Sequence, residues 1–462
     1  MRQPYRIEAI ALHQVGPFAD LELRFPPIAT AQEDAVKAEI HLFTGPNGCG
    51  KSTLLYALAE IFASWNTIGL IRRRFRGPDS AVDFLFSDQA GYYGVREPSP
   101  QPYGRFTNRF GSFYECLNDR NEGRYFGHGP KLMTMSRGLP HYKDAIDSLQ
   151  AEHVLCQTGF LFAAFAYSGQ RTVGDVKLTA IQELATSPFE NALSFDASTR
   201  PQVLLQWIAN NRAQSALAKQ DGDTAAAAVY DLALSRITSL IKDICDLDLE
   251  FRLERSPLAV AARLNGENIR FDGLPDGLKS IITWVADLSL RLEAIPWQVE
   301  QDIFSQPIIL FLDEVDIHLH PKWQRRILPA IQRLLPNAQV FVSTHSPFVV
   351  GSVEDAWVYV LPEPVAGPTS GIVEAIPSGA GKSYRLILEE VFGVTGEFDV
   401  ETEALFSDFY QLREQFLKAP ASPDTLLAAA RALAERGEES TLIVSRELRQ
   451  VSRVTGREVS LA

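Results

Sequence analysis

Eight consecutive residues, Gly45-Pro46-Asn47-Gly48-Cys49-Gly50-Lys51-Ser52, satisfy the pattern G-x-x-x-x-G-K-[ST] at every fixed position. Each fixed residue type has a physical role in gripping phosphate. Glycines let the backbone curl tightly and approach phosphate oxygens. The loop N–H groups and the start of a following helix converge on the anion. Lys51 is placed to reach the β- and γ-phosphates and Ser52 to ligate Mg²⁺, so the nucleotide-contacting run extends from Gly45 through Thr53. The chemistry indicated is binding of a nucleoside triphosphate with Mg²⁺.

Three further clusters bear on the same chemistry. Ile308-Ile309-Leu310-Phe311-Leu312 is a continuous apolar run that ends in Asp313-Glu314. Asp313 is expected in the magnesium shell through water, and Glu314 as the group that polarises the water attacking the γ-phosphate. Gln339-Val340-Phe341-Val342-Ser343-Thr344 leads to His345. A lone histidine is more often structural, but here it follows the Asp-Glu strand and ends where a γ-phosphate would lie. The expected catalytic set is therefore Lys51, Glu314 and His345. Leu161 to Tyr167 is another apolar run, delivering Ser168-Gly169-Gln170 at its end. Leu274-Pro275-Asp276-Gly277 opens an amphipathic helix and offers a second phosphate-facing turn, weakly specific by itself.

The elements needed to position these groups can be read around them. Glu39 to Thr44 reads as a buried strand before the glycine loop. Leu54, Leu58, Ile61, Phe62 and Trp65 recur at helical spacing after it. Run 308–314 reads as a central parallel strand and runs 161–167 and 339–345 as further buried strands, with ligands expected at strand carboxyl ends. Pro321 suits a helix first turn, with Trp323, Ile327, Ile331 and Leu334 on one face.

The remaining chain has several textures. Ile7 to Phe25 reads as two strands around Gly16-Pro17. Residues 66–150 form an insertion rich in Gly, Pro and aromatics, with strand-like stretches such as 81–86 and few helical patterns. Its Ile71-Arg72-Arg73-Arg74-Phe75-Arg76 run, with Arg96, Arg105, Arg109 and Arg124, could contact nucleic acid, although a solvated surface is the more ordinary reading. Residues 201–246 read as helical, and Asn265-Gly266 marks a hairpin.

Composition sets the outer bounds. A chain of 462 residues with net charge −13 is no general basic nucleic-acid coat, though a local basic groove is compatible with it. Its four cysteines show no C-x-x-C spacing, so neither a zinc site nor a disulfide framework is expected. The N-terminal residues lack a signal-peptide core, and no apolar run approaches the roughly 18 residues of a membrane span. A cytoplasmic protein with no membrane contact is expected.

Taken together, these motifs resemble the ABC-type ATPases, in the soluble branch that includes RecF, SMC and OLD-like proteins. The resemblance runs from Ile7 to about Val350. It rests most on Asp313 to Pro321, similar to a D-E-x-x-x-x-L-H-P element, and on Ser343 to Phe348, similar to S-T-H-S-P. It implies an α/β fold: an ATPase head with a mixed or parallel P-loop sheet, an antiparallel β subdomain and a helical subdomain. It further implies that Gln170 is the Q-loop glutamine, contacting nucleotide and metal. Leu274–Ser280, with Asp276 and Gly277, is then the signature, and His345 the switch histidine. Pro275 stands where the family's signature serine belongs, which makes slow or conditional hydrolysis plausible. The implied domains are residues 1–350 as the ATPase, with insertion 66–150 and a helical and signature region at 172–292. A mostly helical extension follows at 351–462.

The tail narrows the resemblance. Ile387-Leu388-Glu389-Glu390-Val391-Phe392-Gly393 is similar to a segment in ATPases of Septu-type and retron-associated phage-defence systems. The ABC-type resemblance implies a homodimer closed around ATP, open to higher homo-oligomers, and the tail implies control of a separate nuclease or toxin effector. No E…D-x-D carboxylate set is evident, so nuclease activity in this chain is not expected. A RecF-like DNA-repair ATPase is the alternative. A transporter subunit is disfavoured by the insertion and by the L-H-P and S-T-H-S-P elements.

Overall fold

A computed structural model describes residues 5–28, 37–64, 69–87, 103–107, 113–116, 138–150, 159–169, 181, 187–255, 258–364, 368–378, 381–419 and 422–461. Two strands open the chain, β1 (Arg6–Val15) and β2 (Phe18–Arg24), paired antiparallel around Gly16-Pro17. Then come β3 (Glu39–Thr44), the glycine loop, and α1 (Lys51–Glu60). Strands β4 (Ala81–Ser87), β5 (Tyr103–Thr107) and β6 (Phe113–Cys116) follow. Helix α2 (Gly138–Gln150) lies where the sequence suggested few helices. Its leading Gly138 and Pro140 obscure the signal, which rests on buried Tyr142, Ala145 and Ile146 at helical spacing.

Strand β7 (Ala163–Ser168) precedes a helical hairpin of α3 (Pro201–Gln220) and α4 (Thr224–Cys245), broken at Asp221-Gly222-Asp223. The Asp223 side chain caps α4 by accepting from the Ala226 N–H. Strands β8 (Leu249–Arg255), β9 (Leu258–Leu264) and β10 (Glu267–Arg270) form a small antiparallel sheet turned at Asn265-Gly266. Helix α5 (Asp276–Ala294) comes next, then β11 (Ile308–Asp313), α6 (Pro321–Leu334), β12 (Ala338–Ser343) and the short α7 (Pro347–Val350). The first part of the chain closes with β13 (Trp357–Val360), β14 (Thr369–Val373) and β15 (Ile376–Pro377).

Two six-stranded sheets organise this part. One runs β14-β2-β1-β4-β5-β6, antiparallel except where β14 lies parallel to β2. The other runs β15-β13-β3-β12-β11-β7, with five parallel strands and β15 antiparallel at the edge. Every residue of β3, β7, β11 and β12 is buried, the polar Glu39, His41 and Gln339 among them. Phe311 and Phe341 stack across β11 and β12 at 5.5 Å, a pairing worth about 0.5–1.5 kcal/mol beyond its buried area. The parallel sheet continues past residue 350, since β13 pairs with β3.

A buried polar network fastens the two sheets. Arg6 of β1, without exposure, donates to Glu39 of β3 and to the Phe25 carbonyl. Glu39 also meets His41 at 2.7 Å and Gln339 Nε2 at 3.1 Å. Gln339 in turn bonds the Ile7 backbone in both directions. Unpaired, such charges would oppose folding; here nearly every polar atom has a partner.

The chain divides into two compact units, Met1–Ile387 and Leu388–Ala462. Helix α8 (Tyr384–Phe392) spans the division. The second unit contains α9 (Val400–Lys418), α10 (Asp424–Ala434) and α11 (Glu438–Thr455). It has its own core, with Phe406, Phe409, Leu426, Leu433, Val444 and Leu448 buried together. Among the described residues, no helix is long and apolar enough to cross a membrane.

Candidate nucleotide site

The motif-bearing strands are neighbours. β3, β12, β11 and β7 lie side by side and parallel, so their carboxyl ends form one continuous edge. That edge is where an open α/β sheet collects ligand-binding groups.

The glycine loop leaves β3 with Gly45, Gly48 and Gly50 all at positive φ. Gly50, at φ 103°, also lies against the Phe18 ring, where a Cβ would come within 2.3 Å. Between them stand Pro46, Asn47 and Cys49, the last fully buried. Lys51 folds back over the loop and donates to the carbonyls of Gly45 and Pro46 at 2.9 and 3.0 Å. Ser52 Oγ donates to Asp313 Oδ1 at 3.2 Å, joining residues 261 positions apart.

Asp313 and Glu314 end β11 as a pair with different surroundings. Asp313 is buried and takes hydroxyl hydrogen bonds from both Ser52 and Ser343. Glu314 is half-buried, and its pKa is raised by loss of solvent, by the charge of Asp313 and by Asp316, against the opposing charge of Lys51. Its backbone is left-handed, φ 51°, which is unusual for a residue with a Cβ. His345 lies exposed two residues past β12. Partial desolvation and then the Lys51 charge push its pKa down, favouring neutral imidazole.

A hydroxyl and a carboxylate at 3.2 Å make an all-oxygen donor set. This fits Mg²⁺, which takes one or two protein oxygens and completes its shell with water and phosphate. Ser52 and Asp313 fit that role. Gln170, the third expected metal contact, lies outside the described residues.

Asp276 and Gly277 form the first turn of α5, whose remaining length is almost wholly buried. Asp276 is exposed and accepts from Lys279 Nζ at 3.2 Å. Gly277 is buried. No hydrogen bond among the described residues joins this turn to the glycine loop of the same chain.

Several residues at the site carry no motif signal. Arg74 turns inward from a single 3₁₀ turn, Arg72–Arg74, and donates to Thr53 Oγ1 at 2.6 Å. Its guanidinium lies 4.4 Å from the Tyr56 ring centre, and Tyr56 stacks on Phe195 at 4.3 Å. On α5, Asp287 accepts from the Tyr167 hydroxyl at 3.0 Å and from Arg291 Nε at 2.6 Å, which ties the helix to β7. Ser343 was visible as a polar residue at the end of a buried strand, but its partners were not.

A family model described as "AAA domain, putative AbiEii toxin, Type IV TA system" matches residues 222–351, and another described as "AAA domain" matches residues 5–67. The chain is 34% identical over 153 residues to "Retron Vc95 probable ATPase" of Vibrio cholerae serotype O1 biovar El Tor, covering 32% of this chain and 28% of that protein. It is 35% identical over 181 residues to "Septu protein PtuA" of Bacillus thuringiensis, covering 34% of this chain and 44% of that one. It thus spans less than half the length of either curated relative. Among solved structures, the "SMC head domain from Thermotoga maritima" aligns with TM-score 0.38 at 13% identity, over 81% of this chain and 100% of that one. Two AAA-domain models thus match separate parts of the chain, which is similar over part of its length to a retron ATPase and to Septu PtuA.

Proposed function

We propose that the protein binds and hydrolyses ATP with Mg²⁺, and that it does so to control a separate effector in anti-phage defence. The observation that carries the hydrolytic reading is the hydrogen bond from Ser52 to Asp313, which brings the loop after β3 and the carboxylates after β11 to one place.

In this reading the N–H groups of Gly45 through Thr53 and the start of α1 hold the phosphates. Lys51 adds charge at the β- and γ-phosphates. Ser52 and Asp313 hold Mg²⁺, which when bound neutralises phosphate charge. Glu314 orients and polarises the attacking water, and its raised pKa suits a base. His345, neutral, contacts the γ-phosphate side. Gln170 is assigned to nucleotide and metal by resemblance alone.

Asp276 and Gly277 act on a second copy. The α5 start carries the exposed Asp276, and we assign it to the γ-phosphate held by the partner, giving a head-to-tail pair closed around ATP. The defence role and the effector rest on the retron and Septu names of the similar proteins.

Sedimentation of Glu314→Gln with and without ATP tests the site and the pairing together. Bound ATP and a tightened pair are expected, because water attack is slowed while phosphate binding is kept. Unchanged association would overturn the pairing; absence of ATP binding would overturn the site.

A further inference from the structure

We infer that Ser343 is the positioning residue for the hydrolytic carboxylate: its single hydroxyl holds Asp313 and the backbone of Glu314 at once. This rests on the hydrolytic reading above and adds to it a residue in none of the expected catalytic, nucleotide or metal sets.

Ser343 is the last residue of β12 and has no solvent exposure. A serine hydroxyl has one proton to give and lone pairs to accept with. The proton goes to Asp313 Oδ1. A lone pair accepts the N–H of Glu314 at 2.7 Å. Both polar functions are thus directed at the two consecutive carboxylate residues, 30 and 29 positions earlier in the chain.

The second bond matters because of the backbone it restrains. Glu314 has φ 51°, a conformation that disfavours any residue with a Cβ and persists only where surroundings impose it. On one side Ser343 holds the amide. On the other, Gly169 closes against the carbonyl: a Cβ at 169 would lie 2.1 Å from Glu314 O, and the Gly169 N–H donates to Asp313 O at 2.7 Å. The peptide before Glu314 is clamped between β12 and the end of β7, and that clamp sets where its side chain points. Removing the hydroxyl frees the amide, so the residue can relax towards right-handed φ and carry the carboxylate off line. Misplacement of a reacting group by about 1 Å can lower a rate on the order of a hundredfold.

The position of Ser343 also links two parts of the site. Thr344 donates its N–H to Phe43 O at 3.1 Å, beside the glycine loop, and His345 follows directly. A displacement of the His345 turn therefore reaches Glu314 through one hydroxyl.

The test uses the full chain as wild type, Ser343→Ala and Ser343→Thr. Four quantities are read: steady-state ATP hydrolysis, dissociation constant of a fluorescent non-hydrolysable ATP analogue, hydrogen exchange of the peptide spanning residues 311–317, and thermal midpoint. For Ser343→Ala we expect kcat to fall by about 10–100-fold, the range typical of outer-shell partners, with analogue affinity within about twofold of wild type. The Glu314 amide should exchange faster. Ser343→Thr, which keeps the hydroxyl, should recover both rate and protection. A Ser343→Ala enzyme with wild-type kcat overturns the inference alone. So does a Glu314 amide equally protected in both, or a loss of rate matched by loss of analogue binding and of thermal stability. A wild type that binds ATP but releases no phosphate overturns the hydrolytic reading, and this inference with it.

Discussion

Gly277 stands against the carbonyl oxygen of His318, so close that a Cβ on residue 277 would lie 2.5 Å from it. The first turn of α5 is therefore packed against the segment after Glu314 within one chain. Gly277→Ala should lower stability by about 1–3 kcal/mol, as overpacked sites do, read as a drop in thermal midpoint without nucleotide. An unchanged midpoint would show that the packing there yields freely.

That close approach governs how pairing should be tested. Gly277→Asp would combine an internal clash with any repulsion of a partner's phosphate. Pro275 is exposed one turn-start earlier, so Pro275→Glu presents the carboxylate outward instead. In a Glu314→Gln background it should weaken ATP-driven association while leaving the thermal midpoint within about 0.5 °C, a shift of well under 1 kcal/mol. Light scattering with and without ATP decides it; association as strong as in Glu314→Gln alone would remove the α5 turn from the interface.

Lys51→Ala should reduce ATP affinity roughly a hundredfold or more, since charge-assisted bonds to phosphate are each worth about 1.5–3 kcal/mol. The fold should survive, because the ammonium group bonds only loop atoms: the Gly45 and Pro46 carbonyls, and Cys49 Sγ at 3.6 Å. Calorimetric titration with ATP and a circular dichroism melt separate the two effects.

The Arg6–Glu39 pair predicts an acid limb of stability. Burial alone would raise the Glu39 carboxyl, but Arg6, with help from His41, outweighs it and holds the pKa at about 2. A carboxylate depressed on folding stabilises fully above its unfolded pKa of about 4.3 and loses that contribution as pH falls towards about 2. Glu39→Gln should flatten this limb and destabilise the protein at neutral pH by less than the roughly 3–5 kcal/mol of an uncompensated buried charge, because Arg6 keeps Glu8 as a second anion. Urea unfolding between pH 2 and 7 measures both; parallel curves for variant and wild type would refute the pairing.

The arginine run splits by orientation. Arg72, Arg73 and Arg76 are exposed, whereas Arg74 is committed to Thr53 and Tyr56. If the run binds nucleic acid, reversing Arg72, Arg73 and Arg76 to Glu should weaken binding and reduce the salt slope by about 0.9 for each duplex DNA phosphate that is no longer neutralised. Arg74→Ala should disturb the nucleotide site instead. A wild type without salt-dependent binding makes the run plain surface.

The comparison of sequence with structure divides along physical lines. The glycine loop, the Asp313-Glu314 strand end and the His345 strand end were legible because each couples a local apolar run to a fixed polar pattern. The two-strand start and the Asn265-Gly266 hairpin were legible from turn chemistry. What stayed hidden depends on distant partners. Nothing near Ser343 announces that its hydroxyl meets Asp313, and nothing near Arg6 announces Glu39. Arg74 looks like its neighbours until a 3₁₀ turn rotates it inward. Strand β13 was overlooked beyond residue 350, though Trp357-Val358-Tyr359-Val360 has strand composition. Gln170 and the arginines at 96, 109 and 124 lie outside the described residues.

The strand order carries a consequence for how the site comes into being on the ribosome. β12 lies between β3 and β11 in the sheet, yet it is synthesised about three hundred residues after β3 and after β11 as well. The glycine loop emerges early and has to wait, its β3 flanks unfilled, until residues 338–343 arrive and close the gap. Pairings of such long sequence separation form slowly and leave strand edges exposed to wrong partners in the meantime. A nascent chain halted before β12 carries the phosphate-binding sequence complete but has no floor beneath it. The strand floor beneath the glycine loop is thereby incomplete until nearly the whole of the first unit has been made.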